Sequence, residues 1–165
     1  MIEDVERLVR EAQAGDTLAM NDLLDQLAPY VGRICAPIAL SLAADATQEA
    51  LVAIFRSLRS LREPAAIFGW ARAIAVREAV RLARQQYRHL PGDLTELPAR
   101  DDPQLAVDVR DTLARLSPEH RAVLVLRDLE GMDEQAAAEL LEVPAGTAKS
   151  RLHRARASFR KAWGS

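Results

Sequence analysis

The sequence predicts an all-α protein of two small helical domains joined by a flexible acidic linker. Three observations predict it. Apolar residues recur at three- and four-residue spacing along almost the whole chain. No segment alternates apolar and polar side chains with the Val, Ile and Thr enrichment of a strand. Residues 89–103, "HLPGDLTELPARDDP", carry three prolines, one glycine and four acids without periodicity, which marks a boundary. The expected division is a first domain at 1–90, a linker at 91–103 and a second domain at 104–165.

In chain order, Ile2, Val5, Leu8, Val9 and Ala12 make one helical stripe, closed by Gly15. Residues 18–27 continue as a second helix before Pro29, and 30–42 follow. "DATQEALVAIFRSLRSL" opens with Asp45 as a suitable N-cap. It places Ala50, Leu51, Ile54, Phe55, Leu58 and Leu61 on one face, with Arg56, Arg59 and Arg62 toward the other. Pro64 stops that helix. The next, "IFGWARAIAVREAVRLARQQYR", offers Phe68, Ala71, Ile74, Ala75, Ala79 and Leu82 to a core.

Beyond the linker, Leu105, Val109, Leu113 and Leu116 form a helix that ends before Ser117. "SPEH" supplies Ser117 as N-cap, proline at the first helical position and Glu119 as the acid of a capping box. The helix it opens runs to about Leu129 through Val123, Leu124, Val125 and Leu126, which are too apolar to be anything but buried. Gly131 ends it, Asp133 caps "EQAAAELL", and "EVPAG" turns the chain into a long last helix.

With 49% hydrophobic and 28% charged residues in 165, the composition excludes a disordered chain and a disulfide-rich secreted scaffold. The single cysteine, Cys35, reads as a small buried apolar residue, and no metal-ligand spacing is present. The N-terminus is acidic and amphipathic, unlike a signal peptide. No stretch reaches the roughly 20 apolar residues that cross a bilayer, so a cytoplasmic protein without membrane insertion is expected. "ICAPIALSLAA", broken by Pro37, reads as core.

The formal net charge of −2 hides a strong asymmetry. Residues 1–51 hold nine acids and three bases; 56–88 hold eight Arg and two acids; 149–161 hold six bases and no acid. Two separate basic surfaces suggest a polyanion gripped at two points. The second surface follows a short helix and a tight turn, the pattern of a helix-turn-helix whose second helix fits the major groove. At 100° per residue, Ala148, Leu152, Ala155 and Phe159 stack inward, leaving Lys149, Ser150, Arg151, His153, Arg154 and Arg156 outside. No Gly-rich phosphate loop, nucleophile elbow or paired-carboxylate constellation supports an enzyme.

"LSPEHRAVLVLRDLEGMDEQAAAELLEVPAGTAKSRLHRARASFR", residues 116–160, resembles region four of bacterial sigma factors of the extracytoplasmic function (ECF) group, within the sigma-70 family. The first half is similar to region two of the same group. The resemblance implies a subunit that performs no chemistry, needs no cofactor, binds core RNA polymerase and starts transcription at specific promoters. Lys149, Ser150, Arg151, His153 and Arg154 match the positions that touch the promoter element near −35. "FGWARAIAVREAVRLARQQYR" matches the segment that melts and captures the element near −10, giving Trp70, Arg72, Arg77, Arg81 and Arg84 as candidates. Trp70 is either a core residue or partly exposed for contact with unpaired bases.

The resemblance also places docking on the clamp helices of the largest polymerase subunit at Glu49, Val52, Ala53 and Arg56, and implies contact with the flap region and a cognate anti-sigma factor. Five positions depart from the family pattern. Glu49, Val52 and Ala53 stand where Asp, Gln and Glu are usual, Arg77 where Asn is common, and Glu142 where Gly is usual. The altered docking helix motivates one alternative, a sigma-like decoy that sequesters an anti-sigma factor without starting transcription.

Overall fold

The computed structural model describes residues 2–89 and 105–164, which are helical throughout apart from turns and contain no strand. The expected linker at 91–103 lies outside the described residues. The helices are α1 (Ile2–Gln13), α2 (Thr17–Ala39), α3 (Ala43–Ser57), α4 (Ile67–His89), α5 (Leu105–Ala114), α6 (Pro118–Leu124), α7 (Glu134–Leu141) and α8 (Ala145–Trp163). A π-helical turn, Val125–Leu129, extends α6. The chain divides into two compact units, Met1–Ala36 with Ser41–Ala79, and Pro37–Leu40 with Val80–Ser165.

In the first unit, Leu8, Val9 and Ala12 of α1 are buried, and Gly15 turns the chain at a φ of +103°. Asp16 caps α2, its Oδ1 accepting from the backbone N–H of Leu18 at 3.0 Å and of Ala19 at 3.1 Å. Gln13 anchors the end of α1 by donating to the carbonyls of Leu58 and Leu61 at 2.9 and 2.8 Å. Those acceptors lie in the turns after α3, where the Leu58 carbonyl also accepts the Leu61 N–H at 3.1 Å.

Three expectations change here. Residues 17–39 form one helix through both Pro29 and Pro37. Each interior proline costs about 3 kcal/mol, and burial of Val31, Ile34 and Cys35 beside Leu23 and Leu27 outweighs it. The uninterrupted helix also puts a window within Thr17–Ser60, of mean hydropathy 1.5, long and apolar enough to cross a bilayer by length and composition. Core helices meet the same measure. Asp45 does not cap α3, which begins at Ala43 behind Leu42; the left-handed Leu40, at φ +53°, has already turned the chain upstream.

Two aromatic residues also leave the predicted core. Phe55 is 55% exposed and Phe68 41% exposed. The α3 stripe that does pack is narrower: Ala46, Ala50 and Ile54, continued by Leu58 and Leu61. Phe68 instead meets Tyr30 edge-on, ring centroids 5.4 Å apart, and Arg33 lies over the same Tyr30 ring.

In the second unit, α8 packs on α5, α6 and α7. Val123, Leu152 and Ala155 form the buried centre, with Leu124 and Leu141 against it. Val125 and Leu126 are buried as expected, while Leu124 is only partly so. Ser117 caps α6 by accepting the His120 N–H at 3.2 Å. The capping box is half formed, because Glu119 precedes the reciprocal position and pairs with Arg84 instead.

Sequence reasoning did not single out Arg121, which is 5% exposed. Its Nε donates to the Ile38 carbonyl at 2.9 Å, and its Nη1 to the carbonyls of Leu113 at 3.3 Å and Leu116 at 2.5 Å. Burial lowers this guanidinium to about 10. It remains a cation whose donors join the end of α5 to α2; the Leu113 carbonyl it reaches also accepts the Leu116 N–H at 3.0 Å.

Candidate nucleic-acid interface

The helix-turn-helix is α7, the turn at residues 142–144 and α8. Asp133 starts it, its Oδ1 accepting the Ala136 N–H at 2.7 Å. Ala137 and Ala138 are buried and small, so α8 can approach closely. Glu142 ends α7 in the left-handed conformation, φ 58° and ψ 42°. The Val143 N–H then donates to Ala138 at 3.0 Å and the Glu142 N–H to Glu139 at 3.2 Å, the two bonds of a Schellman end. Pro144 follows in extended geometry and its carbonyl accepts from Thr147 and Ala148, which starts α8.

Ala148, Leu152 and Ala155 are the buried residues of α8. That stripe fixes the helix rotation, so Lys149, Ser150, His153 and Arg154 lie exposed and Arg151 half-buried at the edge. The Ser150 hydroxyl donates back to the Thr147 carbonyl at 3.1 Å, leaving its oxygen free to accept. Phe159, expected inward, is half-buried and stacks on Trp163 with centroids 6.0 Å apart.

The charge of α8 reaches its neighbours. Partial burial lowers the titration of His120, the Arg151 and Arg154 cations add to this, and Glu119 opposes them. Burial works to raise Glu119, but its bond to Arg84 and the charges of Arg84 and Arg151 outweigh burial and hold it low. Arg156, outward as predicted, is engaged by Asp128 of the π turn through a forked pair: Nε to Oδ2 at 3.1 Å and Nη2 to Oδ1 at 2.5 Å.

Along α4, Trp70, Arg77, Arg81 and Arg84 recur on one side of the helix, while Arg72 lies about 200° of rotation from Trp70. Trp70 is half-buried, neither fully in the core nor exposed. Arg77, Arg81 and Arg84 are exposed, Arg84 within its ion pair to Glu119; Arg72 is half-buried. On α3, Glu49, Val52, Ala53 and Arg56 occupy one face by their spacing; all are exposed except the half-buried Ala53. Val52 and Phe55 give this part of the helix an apolar character. Among the described residues no group of three or more His, Cys, Asp or Glu is placed to hold a metal ion.

The family described as Sigma-70, region 4 matches residues 106–159. Among curated proteins, the ECF RNA polymerase sigma factor SigE of Mycolicibacterium smegmatis is 34% identical over 130 residues, covering 72% of this chain and 50% of the relative. The chain thus spans about half the length of that relative. The ECF RNA polymerase sigma-E factor of Haemophilus influenzae is 28% identical, covering 90% of this chain and 89% of its own.

Two solved structures share the fold. CnrH, in complex with the cytosolic domain of CnrY, aligns with a TM-score of 0.63 at 22% identity over 96% of both chains. The sigma factor RpoE of Bartonella quintana, in complex with the anti-sigma factor NepR, aligns with a TM-score of 0.61 at 20% identity over 86% of this chain and 94% of its own. The helix-turn-helix, the basic face it presents and these likenesses together place the chain in the ECF group of the sigma-70 family.

Proposed function

We propose that this chain is a dissociable promoter-specificity subunit that binds core RNA polymerase and directs transcription initiation in the cytoplasm. The observation that carries this reading is the backing of α8: Ala148, Leu152 and Ala155 are buried, which leaves Lys149, Ser150, His153 and Arg154 on the exposed face with Arg151 half-buried at its edge. Arg forks onto guanine O6 and N7 in the major groove, and Lys neutralises phosphate. These five residues read the element near −35.

Trp70 and the cations of α4 capture the melted strand near −10. An exposed aromatic edge stacks on a splayed base for about 1–3 kcal/mol, and arginines alongside follow the backbone. Polymerase docking uses Glu49, Val52, Ala53 and Arg56 on the clamp helices, where Val52 replaces a polar contact with apolar burial. Region four meets the flap region, and an anti-sigma factor holds the protein inactive. The NepR complex of a fold relative supports that last partner.

Run-off transcription with purified core polymerase on a genomic promoter library tests the whole reading. Transcripts should start from a restricted set of promoters sharing two spaced elements. A protein that fails to bring down core polymerase in a pull-down would instead be the decoy.

A further inference from the structure

We infer that Asp128 is a positioning residue that withdraws Arg156 from the phosphate-binding charge of α8 and thereby limits sequence-independent binding to duplex DNA. Arg156 follows Lys149 and His153 by seven and three residues, so it sits on the flank of the basic face. Extended outward, its guanidinium would join that face. The structure holds it in a two-bond fork on Asp128, 28 residues away in sequence. Among the described residues, Lys149, Arg151 and Arg154 form no ion pair, so Arg156 is singled out within the basic stretch of α8.

The anchor is well defined. Asp128 stands on the π turn, which closes through Glu130 N–H to Val125 at 2.8 Å and Met132 N–H to Leu126 at 2.9 Å. Its neighbour Arg127 donates to the Met132 carbonyl and braces the same turn. Turns of this kind insert one extra residue and recur at functional places.

Stability alone does not account for the pair. Its side chains are 47% and 38% exposed, and pairs in such settings contribute little to folding. Electrostatics against a polyanion is different, because each phosphate neutralised adds about 0.9 to the salt slope on duplex DNA. One cation held back is therefore a measurable subtraction from non-specific affinity.

The inference rests on α8 being a DNA-binding surface, and the experiment separates the two claims. The full chain is titrated with a fluorescent random-sequence duplex over a salt series, as wild type, Asp128→Asn, Arg156→Gln and the double variant. Wild-type binding that ignores salt overturns both the surface and the inference. With salt-dependent wild-type binding, Asp128→Asn should steepen the slope by about 0.9, a further gain of roughly 3.5-fold between 200 and 50 mM salt. The double variant should lose that increment.

An unchanged slope in Asp128→Asn, or an increment that survives Arg156→Gln, overturns the inference and leaves the surface standing. Arg156→Gln alone supplies a reading that does not depend on altering Asp128. Its slope should stay at the wild-type value, and a drop of about 0.9 would show that Arg156 already binds phosphate. A merely structural pair would shift unfolding midpoints and leave all four slopes equal.

Discussion

Arg121 donates from Nη1 to the Leu116 carbonyl at 2.5 Å, closing the end of α5 with a guanidinium carried by the helix that follows. The same side chain reaches Leu113 and Ile38, so one buried cation donates to three backbone carbonyls, of which Leu113 also accepts the Leu116 N–H. Replacing Arg121 with Met keeps much of the apolar stem and removes every donor. We expect a loss of about 3 kcal/mol, since hydrogen bonds from a charged group are each worth about 1.5–3 kcal/mol and the loss takes a donor from each of the three carbonyls. Urea unfolding measures it, and a midpoint equal to wild type would remove Arg121 from the structural account.

Glu142 provides a prediction of opposite sign. It adopts a left-handed conformation that disfavours side chains with a Cβ. Glu142→Gly should stabilise the protein by up to about 1 kcal/mol, less the extra freedom glycine gains in the unfolded chain. An unfolding midpoint below wild type would mean that the Glu142 side chain makes a contribution larger than the strain.

The Asp128–Arg156 pair predicts a pH dependence. The bond from Arg156 is the main reason the Asp128 carboxyl lies below its ordinary 3.8, burial opposes it, and the Arg156 and Arg127 charges add to it. Because the folded value is the lower one, the contribution to stability is present above 3.8 and fades as pH falls through the folded value. Wild type and Asp128→Asn should therefore differ in unfolding midpoint near neutrality and converge in acid. A gap of constant size across that range would contradict the assignment.

His120 predicts a second, separable window. Burial first, and then the charge of Arg151, set its folded titration below 6.5. The neutral form is favoured on folding, so stability is present above 6.5 and declines as pH falls through that value. His120→Gln should flatten the midpoint-against-pH curve in that window, and NMR titration of the imidazole should show the lowered value directly.

Cys35 should be inert while the protein is folded. Burial pushes its thiol up to about 11, Thr47 lowers it somewhat, and Sγ contacts the Ala75 carbonyl at 3.7 Å. Labelling by a thiol reagent should require opening of the first unit and accelerate in step with urea-induced unfolding. Rapid labelling under native conditions would show that α2 and α4 part more readily than their packing implies.

The sequence by itself determined the helical class, the helix-turn-helix and the direction its basic face points. Each depends on relations within a few residues: the 3.6-residue period, a capping Asp133 three residues before its partner, and apolar residues four apart on α8. Ser117 and Asp133 were legible as caps for the same reason. Tertiary structure decided what depends on neighbours distant in the chain. It carried α2 through Pro29 and Pro37, exposed Phe55 and Phe68, buried Arg121, and joined Asp128 to Arg156 and Glu119 to Arg84. A periodic pattern states which side of a helix is apolar; how much of that side is covered, and which charges meet across a fold, depends on packing partners that no local window contains.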